Sequence, residues 1–353
     1  MAALFKKSDL VGLDIGTSSV KAVQLKRSGR AFELVHLGMA PLPPETIVDG
    51  VIMDANAVIG AVNQIYAEND IKTRQVAVAV SGHSVIVKKI RMAQMKEEEL
   101  RESIRWEAEQ HIPFGIDDVN IDFQILGPPA PGVSEMEVLL VAVKKDIVND
   151  YLNVMTAAGL TTMVVDVDAF ALENAYSISY EIVPQQLVAL INVGAAVMTI
   201  NILKDGISTF TRDSVIGGNR YTEAIQKALA LSFDEAEKLK MGQKVEGYTF
   251  DQVGPIIQDI HRELVGEIRR SFDFFRSSSQ DEQIHKMVIS GGSARLPGLL
   301  ETLSENLEIP GEIANPLRNI KFDAKRFDPE YLDFIAPQTA ISVGLALRHP
   351  GDK

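Results

Sequence analysis

Three glycine-bearing turns carry the residues of this chain best suited to chemistry. The first reads Asp14-Ile15-Gly16-Thr17-Ser18-Ser19-Val20-Lys21, the second Asn192-Val193-Gly194-Ala195-Ala196, and the third Ser290-Gly291-Gly292-Ser293-Ala294-Arg295-Leu296-Pro297-Gly298. Each follows an apolar stretch. Glycine at such positions lets consecutive backbone N–H groups approach an anion closely, and amides grouped in this way bind phosphate. Thr17 and Ser18 add hydroxyl donors and Lys21 adds a point charge. Asp14 works in the opposite sense: beside phosphates its carboxylate repels unless a cation lies between, which argues for Mg²⁺ held through water. A phosphate-bearing ligand is therefore expected among these turns, at Asp14, Gly16, Thr17, Ser18, Lys21, Gly194 and Ala195 and at Gly291, Gly292, Ser293 and Arg295.

Rival chemistries find little support. The chain holds no P-loop, no G-x-G-x-x-G and no H-E-x-x-H, and Gly82-His83-Ser84-Val85-Ile86 fails the nucleophile-elbow pattern because it ends in Ile. Its six histidines, His36, His83, His111, His261, His285 and His349, are scattered without ligand spacing. Absence of cysteine removes thiolate nucleophiles, iron–sulfur clusters and cysteine-based zinc, and fits a reducing compartment.

The elements that must position these turns repeat. Val11-Gly12-Leu13-Asp14-Ile15-Gly16 is an apolar strand, followed by small and hydroxyl residues, Val20 to Leu25, and a Lys26-Arg27-Ser28-Gly29 turn. At an offset of 178 residues the pattern recurs as Ala189-Leu190-Ile191-Asn192-Val193-Gly194, then Val197 to Leu203 and a Lys204-Asp205-Gly206 turn. Each copy predicts a β-hairpin, and two copies predict two similar lobes. Between them, Met95 to His111 reads as a helix with acids in its first turn, 121–125 and 137–143 as strands around a loop at 127–132, and Asp146 to Ala158 as a helix ended by Gly159. This arrangement predicts a subdomain inserted over 86–166, in which the sole tryptophan, Trp106, either packs in the core or walls a groove beside the subdomain, with the core preferred. The first lobe is then 1–85 with 167–186, and the second 187–353. In the second, helices are expected at Asn219–Leu231, Asp234–Met241 and Ile256–Phe275 within a helical part at about 219–285, a strand at Lys286–Ser290, and a closing helix at 338–347.

Composition agrees with that organisation. At 353 residues the chain exceeds one ordinary domain, and 46% hydrophobic with 24% charged residues is the profile of a globular protein. Lys and Arg number 35 against 48 Asp and Glu, a net charge of −13, which disfavours a nucleic-acid-coating surface. Met1 to Lys7 is followed by Ser8 and Asp9 and not by an apolar segment, so no signal peptide is expected. Leu187 to Leu203 is broken by Asn192, Gly194, Thr199 and Asn201 and falls short of the roughly 20 residues of a spanning helix. A cytoplasmic protein is expected, reaching membranes only through partners.

Two hairpins clasping phosphates, with a Gly-Gly turn under the nucleoside, resemble the actin, sugar-kinase and Hsp70 ATPase superfamily. That resemblance implies an α/β fold of actin-like ATPase type, two duplicated ribonuclease-H-like lobes with an FtsA-type subdomain inserted in the first. Ile216-Gly217-Gly218-Asn219-Arg220-Tyr221-Thr222, with Ala236-Glu237-Lys238-Leu239-Lys240, is similar to the FtsA and MreB pattern, and 337–347 resembles the C-terminal helix that returns to the hinge. The runs 104–114 (Ile-Arg-Trp-Glu-Ala-Glu-Gln-His-Ile-Pro-Phe) and 164–175 (Val-Val-Asp-Val-Asp-Ala-Phe-Ala-Leu-Glu-Asn-Ala) are similar to the PilM family of type IV pilus assembly proteins. The resemblance implies ATP or ADP with Mg²⁺ as cofactors. It also implies ribose or adenine contacts from Glu237 and Lys240, although a Glu-x-x-Lys pair is also what a solvated helix face carries. Asp168 matches the place where the attacking water is positioned, or it caps a helix.

Asn192 departs from the superfamily, whose second phosphate loop carries Asp. Its amide can hydrogen-bond or coordinate but is neutral and cannot act as a base, so binding is expected more firmly than turnover. The same resemblance implies a scaffold that binds the N-terminal cytoplasmic tail of PilN in the cleft beside the inserted subdomain, linking the inner-membrane alignment complex to the pilus motor, with self-assembly or a ring possible. The alternatives are an FtsA-like filament protein of division, which needs a C-terminal amphipathic membrane helix that Ala346 to Lys353 is too short and polar to form, and a catalytically active ATPase or kinase.

Overall fold

The computed structural model describes residues 10–29, 31–127, 134–279 and 282–352. The N-terminal segment considered for targeting and most of the 127–132 loop lie outside the described residues. A meander of β1 (Val11–Ile15), β2 (Ser19–Ser28) and β3 (Ala31–Pro41) opens the chain, followed by a small hairpin, β4 (Ile47–Val48) and β5 (Val51–Ile52). Helix α1 (Ala55–Glu68) starts where the Asp54 carboxylate accepts from Ala57 N at 3.0 Å, supplying an acceptor that the helix cannot. It buries Val58, Val62 and Ile65 before β6 (Gln75–Val80) returns to the sheet.

Next come β7 (Val85–Ala93), α2 (Glu97–Glu109), β8 (Val119–Ile125) and β9 (Glu135–Lys144), which form a separate sheet in the order β7-β9-β8. One face of α2, Leu100, Ile104 and Ala108, packs on Ile90, Phe123, Val138 and Leu140. Trp106 stands 74% exposed, contrary to the expected core position: two residues beyond Ile104, it falls on the opposite side of the helix. Then α3 (Lys145–Ala157) and β10 (Thr161–Val167) follow. These last two correct the expected 86–166 insertion. Strand β10 pairs parallel with β6, and α3 buries Ile147, Tyr151, Val154 and Met155 in the first lobe's core, so only 85–144 builds the separate sheet. A helix following a strand reads alike whichever sheet it covers.

Helix α4 (Asp168–Ser179) crosses to the second lobe, built from β11 (Leu187–Val193), β12 (Met198–Lys204), β13 (Ile207–Ser214), α5 (Gly218–Leu229), α6 (Phe233–Lys240), α7 (Phe250–Ser278), β14 (Lys286–Ser290), α8 (Leu299–Leu307) and β15 (Gly311–Ile313). Helix α7 begins before the expected Ile256 and runs through Pro255. The Gln252 side chain accepts from Thr249 N at 2.8 Å and starts the helix early, while a proline so near that end removes a single ladder bond. The chain closes with β16 (Ile320–Lys321), α9 (Pro329–Ile335) and α10 (Ala340–Ala346).

The two large sheets share one plan. The first runs β10-β6-β1-β2-β3-β16 and the second β13-β12-β11-β14-β15; in each, three antiparallel strands in sequence are joined by two parallel ones on the other side of the first strand. Repeat and register coincide: Asp14 faces Lys21 across β1–β2, and Asn192 faces Thr199 across β11–β12, each 178 positions on. Helix α10 wedges between the lobes. A Cβ on Gly344 would lie 1.8 Å from the Ala171 carbonyl of α4, and one on Gly12 of β1 would lie 2.2 Å from the Ser342 carbonyl of α10, so only glycine permits this approach. Among the described residues no helix is long and apolar enough to cross a membrane.

Candidate functional site

The C-terminal ends of β1, β11 and β14 point into one cleft of about 700 Å³ between the lobes. It is lined by Asp14, Gly16, Thr17, Ser18, Lys21, Asp168, Asn192, Gly194, Ala195, Glu237, Lys240, Gly291, Gly292 and Ser293, so fourteen of the fifteen candidate residues meet there. Arg295 does not. Its guanidinium turns to α9, donating to the carbonyls of Phe334 at 3.2 Å and Asp333 at 2.7 Å, which removes it from the ligand set. The turn carries Arg295 past the cleft because Ser293 N is bound back to the Val193 carbonyl at 3.1 Å.

At the first hairpin, Lys21 Nζ lies 3.0 Å from Asp14 Oδ2, both nearly buried. The amides of Thr17 and Ser18 at the tip, of Ala195 in the second loop and of Gly292 in the third find no acceptor among the described residues. Free amides on three converging loops fit a polyanion. The second and third loops are locked together: Ser293 Oγ donates to the Gly194 carbonyl at 3.4 Å, and Gly291, at φ +94°, passes so near Val193 that a Cβ would fall 2.4 Å from its oxygen. Carbonyls of Gly194 and Ala195 accept from the Gly218 and Asn219 amides that open α5, at 2.9 and 2.8 Å, so that loop is seated on a helix N-terminus.

Asn192 is buried, its Oδ1 accepting from the Ser290 hydroxyl at 3.2 Å. Asp168, first residue of α4, lies within electrostatic reach of Asp14 on the first-lobe side of the cleft. Burial and then the charge of Asp14 raise its carboxyl well above the usual range, and a hydrogen bond from Ser81 only partly offsets them. On the second-lobe wall, Lys240 is not solvated: 5% exposed, its ammonium donates to Thr222 Oγ1 at 3.0 Å, to the Gly218 carbonyl at 3.3 Å and to Glu237. Burial pulls its pKa down, and Glu237 opposes this. Among the described residues no three His, Asp or Glu side chains gather as metal ligands. Two carboxylates, Asp14 and Asp168, with one lysine between phosphate loops suit Mg²⁺ that is carried by phosphate oxygens and met by Asp14 through water.

Several cleft residues were not legible. Thr199 is the repeat counterpart of Lys21 and was there to be found by the offset; its hydroxyl donates to Asp213 of β13, whose carboxylate burial pushes up and which also accepts from Gly82 N at 2.5 Å across the lobes. Tyr151 lies in an ordinary-looking apolar stripe of α3 and gives no signal in the sequence.

A second opening, of about 490 Å³, lies between the outer strand of the small sheet, β8, and the outer strand of the first large sheet, β10. Its walls are apolar (Val141, Val165, Phe170), and a buried ion pair, Asp166 with Arg348, lies beside Asn174 among its lining residues. Asp166 Oδ2 and Arg348 Nε, 3.4 Å apart, complete no hydrogen bond, nor does Asn174 Nδ2. Burial raises the carboxyls of Asp166 and Glu173 here, with Arg348 opposing in both.

A family model described as type IV pilus assembly protein PilM matches residues 12–350. The solved structure of a PilM-PilN type IV pilus biogenesis complex is similar over 97% of this chain and 98% of that one, with a TM-score of 0.86 and 30% identity. MreB5 of Spiroplasma citri bound to ADP is alike in fold, with a TM-score of 0.52 and 13% identity over 95% of this chain and 94% of that one. Cell division protein FtsA of Bacillus subtilis (strain 168) is 22% identical, covering 87% of this chain and 78% of its own.

Proposed function

This chain belongs to the PilM family of type IV pilus assembly proteins, and from that membership we propose that it is a nucleotide-clasping scaffold whose groove between β8 and β10 receives the N-terminal cytoplasmic tail of PilN. The groove carries the reading. Two unpaired strand edges flank it, so an extended peptide gains main-chain hydrogen bonds from either, and the apolar walls take its alternate side chains. Asp166 and Arg348 form an ion pair at its base, and the Asn174 amide nitrogen beside them lacks a hydrogen-bond partner among the described residues, which costs about 1–3 kcal/mol. Through PilN the protein sits peripherally at the inner membrane, against other pilus components and the motor.

In the other cleft, the free amides of Thr17, Ser18, Ala195 and Gly292 hold the phosphates of ATP or ADP, Lys21 adds charge, and Lys240 with Glu237 borders the nucleoside. Bound Mg²⁺ supplies charge neutralisation between the phosphates and Asp14. Asp168 orients water, while neutral Asn192 leaves the second loop without the charge that rapid hydrolysis requires. The nucleotide thus serves to fix the lobe arrangement more than to be turned over.

The test is co-purification with a PilN N-terminal peptide, with and without Mg-ATP. Native protein retains the peptide and Asp166→Lys loses it, since a lysine there meets Arg348. Failure of native protein to retain it in both conditions removes the scaffold reading.

A further inference from the structure

Tyr151 is the cleft residue without an assigned task. It is 4% exposed and lines the nucleotide cleft, with its ring held by the α3 stripe in the first lobe's core. Its hydroxyl donates to nothing among the described residues. Tyr66 also has an unpaired hydroxyl, but that one is sealed inside the core, whereas the hydroxyl of Tyr151 opens onto the cleft. With its ring packed in the core and its oxygen at the cleft wall, Tyr151 presents a free hydroxyl to whatever fills the cleft. Both Asp14 and Asp168 lie within electrostatic reach, and together with burial they hold the phenol far above its ordinary pKa, so it remains a neutral donor. This corner belongs to the first lobe. Lys240 and Glu237, which border the nucleoside, belong to α6 of the second. A nucleotide spanning the cleft therefore brings its outermost phosphate toward Asp14, Asp168 and Tyr151.

We propose that the Tyr151 hydroxyl donates a hydrogen bond to the terminal phosphate of a bound nucleoside triphosphate, making it the residue by which the cleft tells ATP from ADP. The inference rests on the nucleotide reading of the cleft. Unlike the loop hydroxyls of Thr17 and Ser18, Tyr151 offers a neutral donor on a ring anchored in the core, beside Asp14 and Asp168. Ordering it costs little, since core packing has already fixed the ring.

The variant is Tyr151→Phe, which keeps the ring and removes only the oxygen. Calorimetric titration of native and variant protein with Mg-ATP and with Mg-ADP is expected to show ATP affinity lowered on the order of 10-fold, as for a hydrogen bond to a charged group, with ADP affinity unchanged within about twofold. ADP with beryllium fluoride, which restores a terminal phosphate mimic, is expected to follow ATP. Equal losses for ATP and ADP, or no loss for either in a protein that binds both, overturns the assignment and leaves the nucleotide reading standing. Native protein that binds neither nucleotide overturns both.

Discussion

The two hairpins that frame the cleft are built to one register and have opposite electrostatics. In the first, Asp14 and Lys21 face each other at 3.0 Å, a charged pair at the cleft. In the second, the matching positions hold Asn192 and Thr199, both neutral, and the nearest carboxylate has moved one strand outward to Asp213, where it accepts from Gly82 of the opposite lobe. Duplicated backbones thus kept their hydrogen-bond ladder while one copy retained charge for a ligand and the other placed its charge on a contact between lobes. Backbone register is set by the ladder and the buried faces, so the polar residues at the tips were free to diverge.

Breaking the charged copy has the largest expected effect. Lys21→Ala leaves Asp14 facing phosphate uncompensated, and nucleotide affinity is expected to fall on the order of 10- to 100-fold in a titration, with folding retained. Unchanged affinity would mean that the two hairpins are electrostatically equivalent after all. Giving the neutral copy its charge comes next. Asn192→Asp is expected to raise phosphate release on the order of 10-fold over a near-zero native rate, because a carboxylate can hold metal and water as an amide cannot. Native turnover of about 1 s⁻¹ or faster defeats that reading. Lys240→Met tests the second-lobe wall. It strips partners from Thr222 and Glu237 and is expected to cost about 2 kcal/mol in denaturant unfolding, with a several-fold loss of nucleotide affinity. Smallest is Arg295→Ala, which touches only an α9 contact outside the cleft: nucleotide affinity is expected to stay within about twofold.

The sequence carried the cleft further than the groove. Glycine turns after apolar strands are local signals, and the 178-residue offset tied two of them together, so Asp14, Lys21 and Asn192 could be placed before any coordinates. Lys240 needed the resemblance, since a lysine three residues after a glutamate says nothing about burial. Tyr151 was hidden because it sits in a regular apolar pattern that core packing explains equally well, whereas Thr199 could be reached from Lys21 by the offset. The resemblance placed a groove beside the inserted subdomain, but its lining residues were invisible for a different reason. Asp166, Asn174 and Arg348 come from β10, α4 and the chain's last turn, and only the pairing of β10 with β6 decides that they share a wall with β8. For the same reason the limits of the inserted sheet could not be read: α3 has an apolar face, and its sequence does not say which sheet that face covers. Trp106 shows the converse error, where residue type suggested burial and helical phase decided exposure.

The glycine contacts of α10 have a mechanical meaning. Where Gly344 meets the Ala171 carbonyl and Ser342 meets Gly12, main chain rests on main chain with no side chain between. Side chains cushion a contact by changing rotamer and bare backbone cannot, so α10 is seated on β1 and α4 without slack, and one methyl added at Gly344 would have to lift the helix off its seat.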